Sequence, residues 1–188
     1  MFFAINIRSR VMVRNDRGNL LYCFLMEQFV ICTDINNNTH EVLVSELVFR
    51  PAIYGVVVKG GKVLLHQYAE GYGFPGGGIE IGETLDEAFS REIKEETGLH
   101  VQRGESLKVL SDFFIHPGTK KPYHTILLYF SGVDPVGEIS TNYFDELENS
   151  IAKEAVWVDI ENVASLKFFN PMSSEENQKL IQKAVSMS

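Results

Sequence analysis

The sequence predicts an α/β fold with a mixed sheet, preceded by a small antiparallel β appendage over residues 1–50. Three observations carry this. Strand patterns dominate, but helical signals enter at two separated places, residues 85–97 and after Ser173, not after every strand as a regular βαβ array requires. The chain has 188 residues, 45% of them apolar with thirteen Phe, enough for one sizeable core and too apolar for disorder. The net charge of −8 is clustered: residues 70–96 and 134–188 each carry −6, whereas 1–69 and 97–133 are each about +2.

Taken in order, Ala4–Arg14 alternates, Asn15-Asp16-Arg17-Gly18-Asn19 is a turn signal, and Leu20–Cys32 is rich in strand formers. DINNNT (34–39) is a second turn, and Glu41–Phe49 follows as a further strand. IYGVVV, Lys59-Gly60-Gly61-Lys62 and VLLHQY then read as a β-hairpin closed by a glycine turn. The domain division is therefore placed at 1–50 and 51–188. A glycine loop leads into a helix over 85–97, strands around Ser106–His116 and His124–Gly132, an acidic linker over 134–150 and the strand AVWVDI. Ser173-Ser174-Glu175-Glu176 opens a C-terminal helix with a capping box, and puts Leu180, Ile181, Ala184 and Val185 on one face.

Several partner classes are disfavoured. An acidic chain with pI near 5.1 does not suit duplex nucleic acid or an anionic membrane. The two cysteines, Cys23 and Cys32, share one apolar stretch and match neither a disulfide framework nor a metal spacing. They read as small apolar residues in a reduced, cytoplasmic setting. MFFAINIRSR lacks the basic segment that opens a signal peptide. Leu20–Cys32, with Glu27 inside it, is too short to span a bilayer. A soluble protein is expected.

The stretch GFPGGGIEIGETLDEAFSREIKEETGL, Gly73–Leu99, carries the chemistry. Thr84 is a good N-cap, Glu87 completes a capping box, and Gly98 sits where a left-handed C-terminal residue belongs. At about 100° per residue, Leu85, Phe89 and Ile93 fall near 0°, 40° and 80°, with Ala88 near 300°. Glu95, Glu92 and Glu96 fall at about 280°, 340° and 20°, among the apolar residues and not on the polar arc. Three glutamates usually form a solvated charge run; on this face they must be protonated, paired or metal-bound. Arg91 and Lys94 lie on the wrong side to neutralise all three, so a cluster of hard oxygen ligands points to Mg²⁺ or Mn²⁺. Gly76, Gly77 and Gly78, after Pro75, let backbone N–H groups approach an anion. Carboxylates with a metal beside such a loop describe a site for phosphate chemistry, whereas a lone Gly-Gly-Gly would be only a turn.

At these residues the sequence resembles the Nudix hydrolases, whose signature is G-x5-E-x7-R-E-U-x-E-E-x-G-U with U a bulky aliphatic. Gly77, Glu83, Arg91, Glu92, Ile93, Glu95, Glu96, Gly98 and Leu99 match every specified position. Phe74-Pro75-Gly76 and Trp157-Val158-Asp159-Ile160 are also similar, and the resemblance covers about residues 52–185. It implies an α/β/α sandwich with a mixed sheet, and hydrolysis of a nucleoside diphosphate linked to another group, or of a related pyrophosphate. By resemblance, Glu92, Glu95 and Glu96 are the metal ligands, Glu83 supports the site or binds metal at longer range, and Arg91 orients the carboxylates. Helical angles put Arg91 beside Glu95 and away from Glu96, leaving its partner open. The base is Glu92 or Glu95, or a carboxylate outside the box: Glu138, Asp145, Glu146, Glu148 or, favoured, Glu154.

Gly76, Gly77, Gly78 and Phe74 are the candidate substrate contacts. HPGTKKPYH (116–124) offers two His and two Lys for phosphates, with a solvated turn the plainer reading. Tyr72, Phe74, Phe113 and Phe114 could stack a base or simply fill the core. The substrate class, whether nucleoside triphosphate, ADP-ribose or nucleotide sugar, stays open. A small nucleotide derivative is the expected partner. The alternatives are a non-catalytic Nudix-fold binding protein, which the intact box disfavours, a diphosphate isomerase, which would need a cysteine near the site, and an RNA-end pyrophosphohydrolase. Residues 1–50 are expected to cover the pocket or to build a homodimer.

Overall fold

The computed structural model describes residues 5–14, 20–68, 71–140 and 152–187, with side chains described for 28–68, 71–140 and 155–187. Contacts divide the chain into two compact units, one of residues 1–49 with 113–124 and the other of 50–112 with 125–188. The sequence reading grouped 113–124 with the second part.

In the first unit, β1 (Ile5–Arg14) pairs antiparallel with β2 (Leu20–Thr33), which pairs in turn with β3 (Thr39–Leu43). The stretch read as one strand over 41–49 is broken: Val44–Glu46 forms a single 3-10 turn, and only Val48–Phe49 returns to a strand, β4. The turn after β2 is fixed by Asp34, whose carboxylate accepts from the backbone N–H groups of Asn36 and Asn38 and lies 3.0 Å from His40 Nε2. His40, then the Asn38 side chain and the two backbone N–H groups, hold the Asp34 carboxyl well below the ordinary range. Val30, Cys32, Val42 and Phe113 form this unit's small core, so Cys32 is the buried apolar residue expected. Cys23 lies on β2, but its side chain is outside the described residues.

The second unit holds a mixed sheet with a helix on each face. Its strands are β5 (Ala52–Lys59), β6 (Lys62–Tyr68), β7 (Gly71–Gly73), β8 (Gly76–Gly78), β9 (His100–Ile115), β10 (Pro122–Val136) and β11 (Ala152–Asp159). The end of β9 after residue 112 and the start of β10 before residue 125 belong to the first unit. β10 pairs parallel with β5, while β5 with β6 and β6 with β11 are antiparallel. β9 and β10 run longer than the sequence suggests, because the added stretches, 100–105 and 133–136, carry no regular apolar alternation to mark them.

The two helices are α1 (Leu85–Thr97) and α2 (Ser174–Val185). Both carry the capping boxes read from the sequence, at Thr84/Glu87 and Ser173/Glu176, and Gly98 closes α1 at φ 76°. β5 is apolar on both faces, as a strand covered twice must be. Ile53 and Val57 pack with Ala88, Phe89 and Ile93 of α1, whereas Ala52, Val56 and Val58 pack with Leu180, Ile181 and Ala184 of α2. A Cβ on Gly55 would meet Ile93 Cδ1 at 2.7 Å, so this glycine lets α1 close onto the sheet. Val185, expected on the buried face of α2, is 39% exposed at its last turn. Among the described residues, no helix is long and apolar enough to cross a membrane.

Candidate active site

β8, the loop that follows it and α1 build the site. β8 pairs with β5 through Gly76, Gly77 and Gly78, which pins the loop to the central sheet. Gly76 has φ 140°, and a Cβ there would collide with the Ile53 carbonyl and the Tyr54 Cα, so the position requires glycine. The loop then turns at Ile81-Gly82, and Thr84 starts α1 beside it.

Arg91 organises the carboxylates. Its Nε donates to Glu83 Oε1 at 2.6 Å and Nη2 to Glu83 Oε2 at 2.8 Å, a two-pronged pair. Nη1 donates to Glu92 Oε1 at 2.9 Å and to Glu95 Oε2 at 3.1 Å, and Nη2 also donates to the Gly78 carbonyl at 3.0 Å. The partner that helical angles left open is thus threefold. A long side chain reaches sideways across its own helix and over to the loop, which angles measured at Cβ do not capture. Glu96 stands apart from Arg91, as the angles predict. Its Oε2 accepts from the Gly76 N–H at 2.8 Å and lies 3.2 Å from His66 Nδ1.

Burial separates the glutamates. Glu92 and Glu96 are 9% and 8% exposed, while the Glu95 side chain, at the edge of the apolar arc, is 41% exposed. Burial, then repulsion from Glu96 and Glu95, pushes the Glu92 carboxyl up to about 7 against the pull of Arg91. Glu83 moves the other way, down to about 2, chiefly through Arg91 and then the Glu80 N–H. Two carboxylates of one site are thereby driven apart, one toward the neutral form and one firmly ionised. Arg91 is raised by the same bonds. Among the described residues no three His, Cys, Asp or Glu converge as a ready ligand cluster, since Glu83 is turned to Arg91 and Glu96 to Gly76. The donor set nonetheless fits a hard cation: all oxygen, anionic, and costly to bury without positive charge.

The remaining candidates separate. Gly76 lends its N–H to Glu96, and Gly77 admits the Glu92 carboxylate, whose Oε2 would lie 2.5 Å from an added Cβ. Phe74, expected at the substrate, is 2% exposed and packs against Tyr129 and Phe168. Glu154 lies on β11, with its side chain outside the described residues, and Asp145, Glu146 and Glu148 lie outside them altogether. Glu138 is exposed. His116 is occupied locally, its Nδ1 accepting from the Gly118 and Thr119 N–H groups. Phe113 stacks on His124 within the first unit's core, and Phe114 stacks on Tyr123. His66 was not singled out from the sequence. It is 1% exposed, stacked on Tyr68 and set against Glu96; a histidine amid VLLHQY was its only signal.

A model of the NUDIX domain matches residues 48–180. An ADP-ribose pyrophosphatase of Methanocaldococcus jannaschii is 34% identical over 123 residues, 62% of this chain and 66% of that protein. The putative 8-oxo-dGTP diphosphatase YtkD of Bacillus subtilis is 39% identical over 87 residues, 46% of this chain and 51% of that protein. The chain thus spans less than two thirds of the length of each. The crystal structure of a MutT protein from Methanosarcina mazei Go1 shares the fold, with a TM-score of 0.54 at 20% identity, covering 76% of this chain and 96% of that one.

Proposed function

The chain belongs to the Nudix family, and on that premise we propose that it hydrolyses a pyrophosphate bond in a nucleoside diphosphate derivative, using Mg²⁺ or Mn²⁺. The observation that carries the reading is the gathering of Glu83, Glu92 and Glu95 on the Arg91 guanidinium, against a glycine loop and beside buried Glu96. Glu92, Glu95 and Glu96 would hold the ion, with Glu83 acting through Arg91. When bound, such an ion neutralises pyrophosphate oxygens and acidifies an attacking water.

The chain's own residues do the rest. Arg91 fixes the directions of three carboxylates by charge-assisted bonds. The Gly76 N–H holds Glu96, with His66 Nδ1 3.2 Å from the same carboxylate oxygen. Gly77 lets Glu92 lie against the loop backbone, where a substrate phosphate would pass. The water's proton goes to Glu92 or Glu95, or to Glu154, which precedes Ala155, the register partner of His66 on β6.

The names of the two relatives choose the first substrates, ADP-ribose and 8-oxo-dGTP, with nucleotide sugars after them. The test is release of nucleoside monophosphate, phosphate or pyrophosphate from this panel with Mg²⁺, with Mn²⁺ and with EDTA. Metal-dependent cleavage of one class is expected. No turnover on the whole panel, with metal binding intact, would turn the reading toward a nucleotide-binding protein without catalysis.

A further inference from the structure

Two neighbouring glycines of β8 are covered by opposite charges. A Cβ on Gly77 would meet the Glu92 carboxylate. A Cβ on Gly78 would meet the guanidinium of Arg50, with Nη2 at 2.5 Å, Cζ at 2.6 Å and Nε at 2.7 Å. Successive residues of a strand face opposite sides, so Glu92 and Arg50 approach one bare stretch of backbone from its two faces. The rest of the sheet agrees. Ile53 packs with the α1 cluster and Tyr54 with the α2 cluster, and the Arg50 charge acts on the Tyr54 hydroxyl.

Arg50 differs from Arg91 in being uncommitted. Arg91 holds three carboxylates. Arg50, half-buried, has no carboxylate within ion-pair distance among the described residues. Its backbone is fixed nevertheless. The Arg50 carbonyl accepts from the buried Thr125 hydroxyl at 2.6 Å, and Pro51 restricts the residue before it to extended conformations. A planar fork of donors, carried on a fixed backbone beside an acidic site and lacking an anion, matches the geometry of a phosphate. Among the described residues β8 pairs only with β5. A phosphate chain laid across its other edge would reach the glutamates on one face and Arg50 on the other.

We propose that Arg50 is a phosphate-binding residue of the substrate pocket, gripping the phosphate that lies on the face of β8 away from Glu92, and that residue 78 is glycine so that the guanidinium can lie against the loop. The inference rests on the pyrophosphohydrolase reading and deepens it. It concerns the substrate's phosphates and not the metal.

The test compares wild type with Arg50→Gln, Arg50→Lys and Gly78→Ala. Two readouts are taken: steady-state kinetics on the best substrate of the panel, and calorimetric binding of α,β-methylene-ADP with Mg²⁺, an analogue that resists cleavage. Arg50→Gln should raise KM and weaken analogue binding by about ten- to a hundredfold, the size expected for losing a charge-assisted contact, with a much smaller change in kcat. Arg50→Lys should recover only part, because an ammonium lacks the planar fork. Gly78→Ala keeps the charge but displaces the flexible end of Arg50, so it should weaken binding in the same direction while the thermal midpoint changes little. Unchanged KM and analogue binding in folded Arg50→Gln would overturn the inference and leave the hydrolase reading standing. If wild type cleaves nothing on the panel, the hydrolase reading fails, and binding alone decides. Analogue binding lost in Arg50→Gln upholds the role of Arg50; binding equal in both, or absent from wild type, overturns it.

Discussion

At the scale of single residues, Glu92 is the group whose ionisation folding changes most clearly within the site. Its folded carboxyl titrates near 7 against an ordinary 4.5, so the folded state takes up a proton that the unfolded chain releases. For a raised acid the sign is fixed: its contribution favours the fold at low pH and is lost as pH rises from about 4.5 to about 7. In metal-free protein, Glu92→Gln should therefore be indistinguishable from wild type near pH 4.5 and melt several degrees higher at pH 7.5. Melting curves in EDTA across that range check this, and a constant offset would refute it. Glu95→Gln or Glu96→Gln should lower metal-dependent kcat by about a hundredfold or more while the circular dichroism spectrum stays native. Full activity in either variant would remove that residue from the ligand set.

At the scale of elements, α1 must hold its glutamates at a fixed height against the β8 loop, and its two ends set that height. Thr84 accepts from the Glu87 N–H while Glu87 returns a bond to the Thr84 N–H at 2.8 Å. Thr84→Ala should cost about 1 kcal/mol of stability, read from urea unfolding, with kcat near wild type at 25 °C. The other end is more demanding. Gly98 is left-handed, and a Cβ there would also lie 2.9 Å from the Ser140 backbone nitrogen. Gly98→Ala should exceed the Thr84 loss, at roughly 2 kcal/mol, because it combines a strained φ with a clash against backbone that cannot turn aside. Equal losses at the two ends would show that the segment around Ser140 yields freely. Both caps were legible from the sequence because a capping box and a C-terminal glycine are local chemistry. The extent of β9 and β10 was not, because the added stretches, 100–105 and 133–136, carry no regular apolar rhythm to read.

At the scale of the whole molecule, the first unit draws on two distant parts of the chain, since Phe113 completes a core otherwise made by Val30, Cys32 and Val42. Removing residues 1–49 would strip Phe113 and Ile115 of those neighbours. The truncated protein should melt lower and self-associate, as size-exclusion chromatography and thermal scanning would record. We propose that the first unit serves a homodimer, whose mass by light scattering would be twice 21.2 kDa. A truncated protein that stays stable, monodisperse and equally active would set that role aside. The sequence by itself determined the family, both helices with their capping boxes, the glycine that closes α1 and the side of α1 on which Glu92 and Glu96 lie. Each of these follows from spacing within a local segment. Only the tertiary structure decided that Arg91 also gathers Glu83 and Glu92, that His66 stands against Glu96, and that Arg50 covers Gly78. Those partners lie between 1 and 30 residues apart in the chain and meet through side-chain reach and strand register, which no spacing encodes.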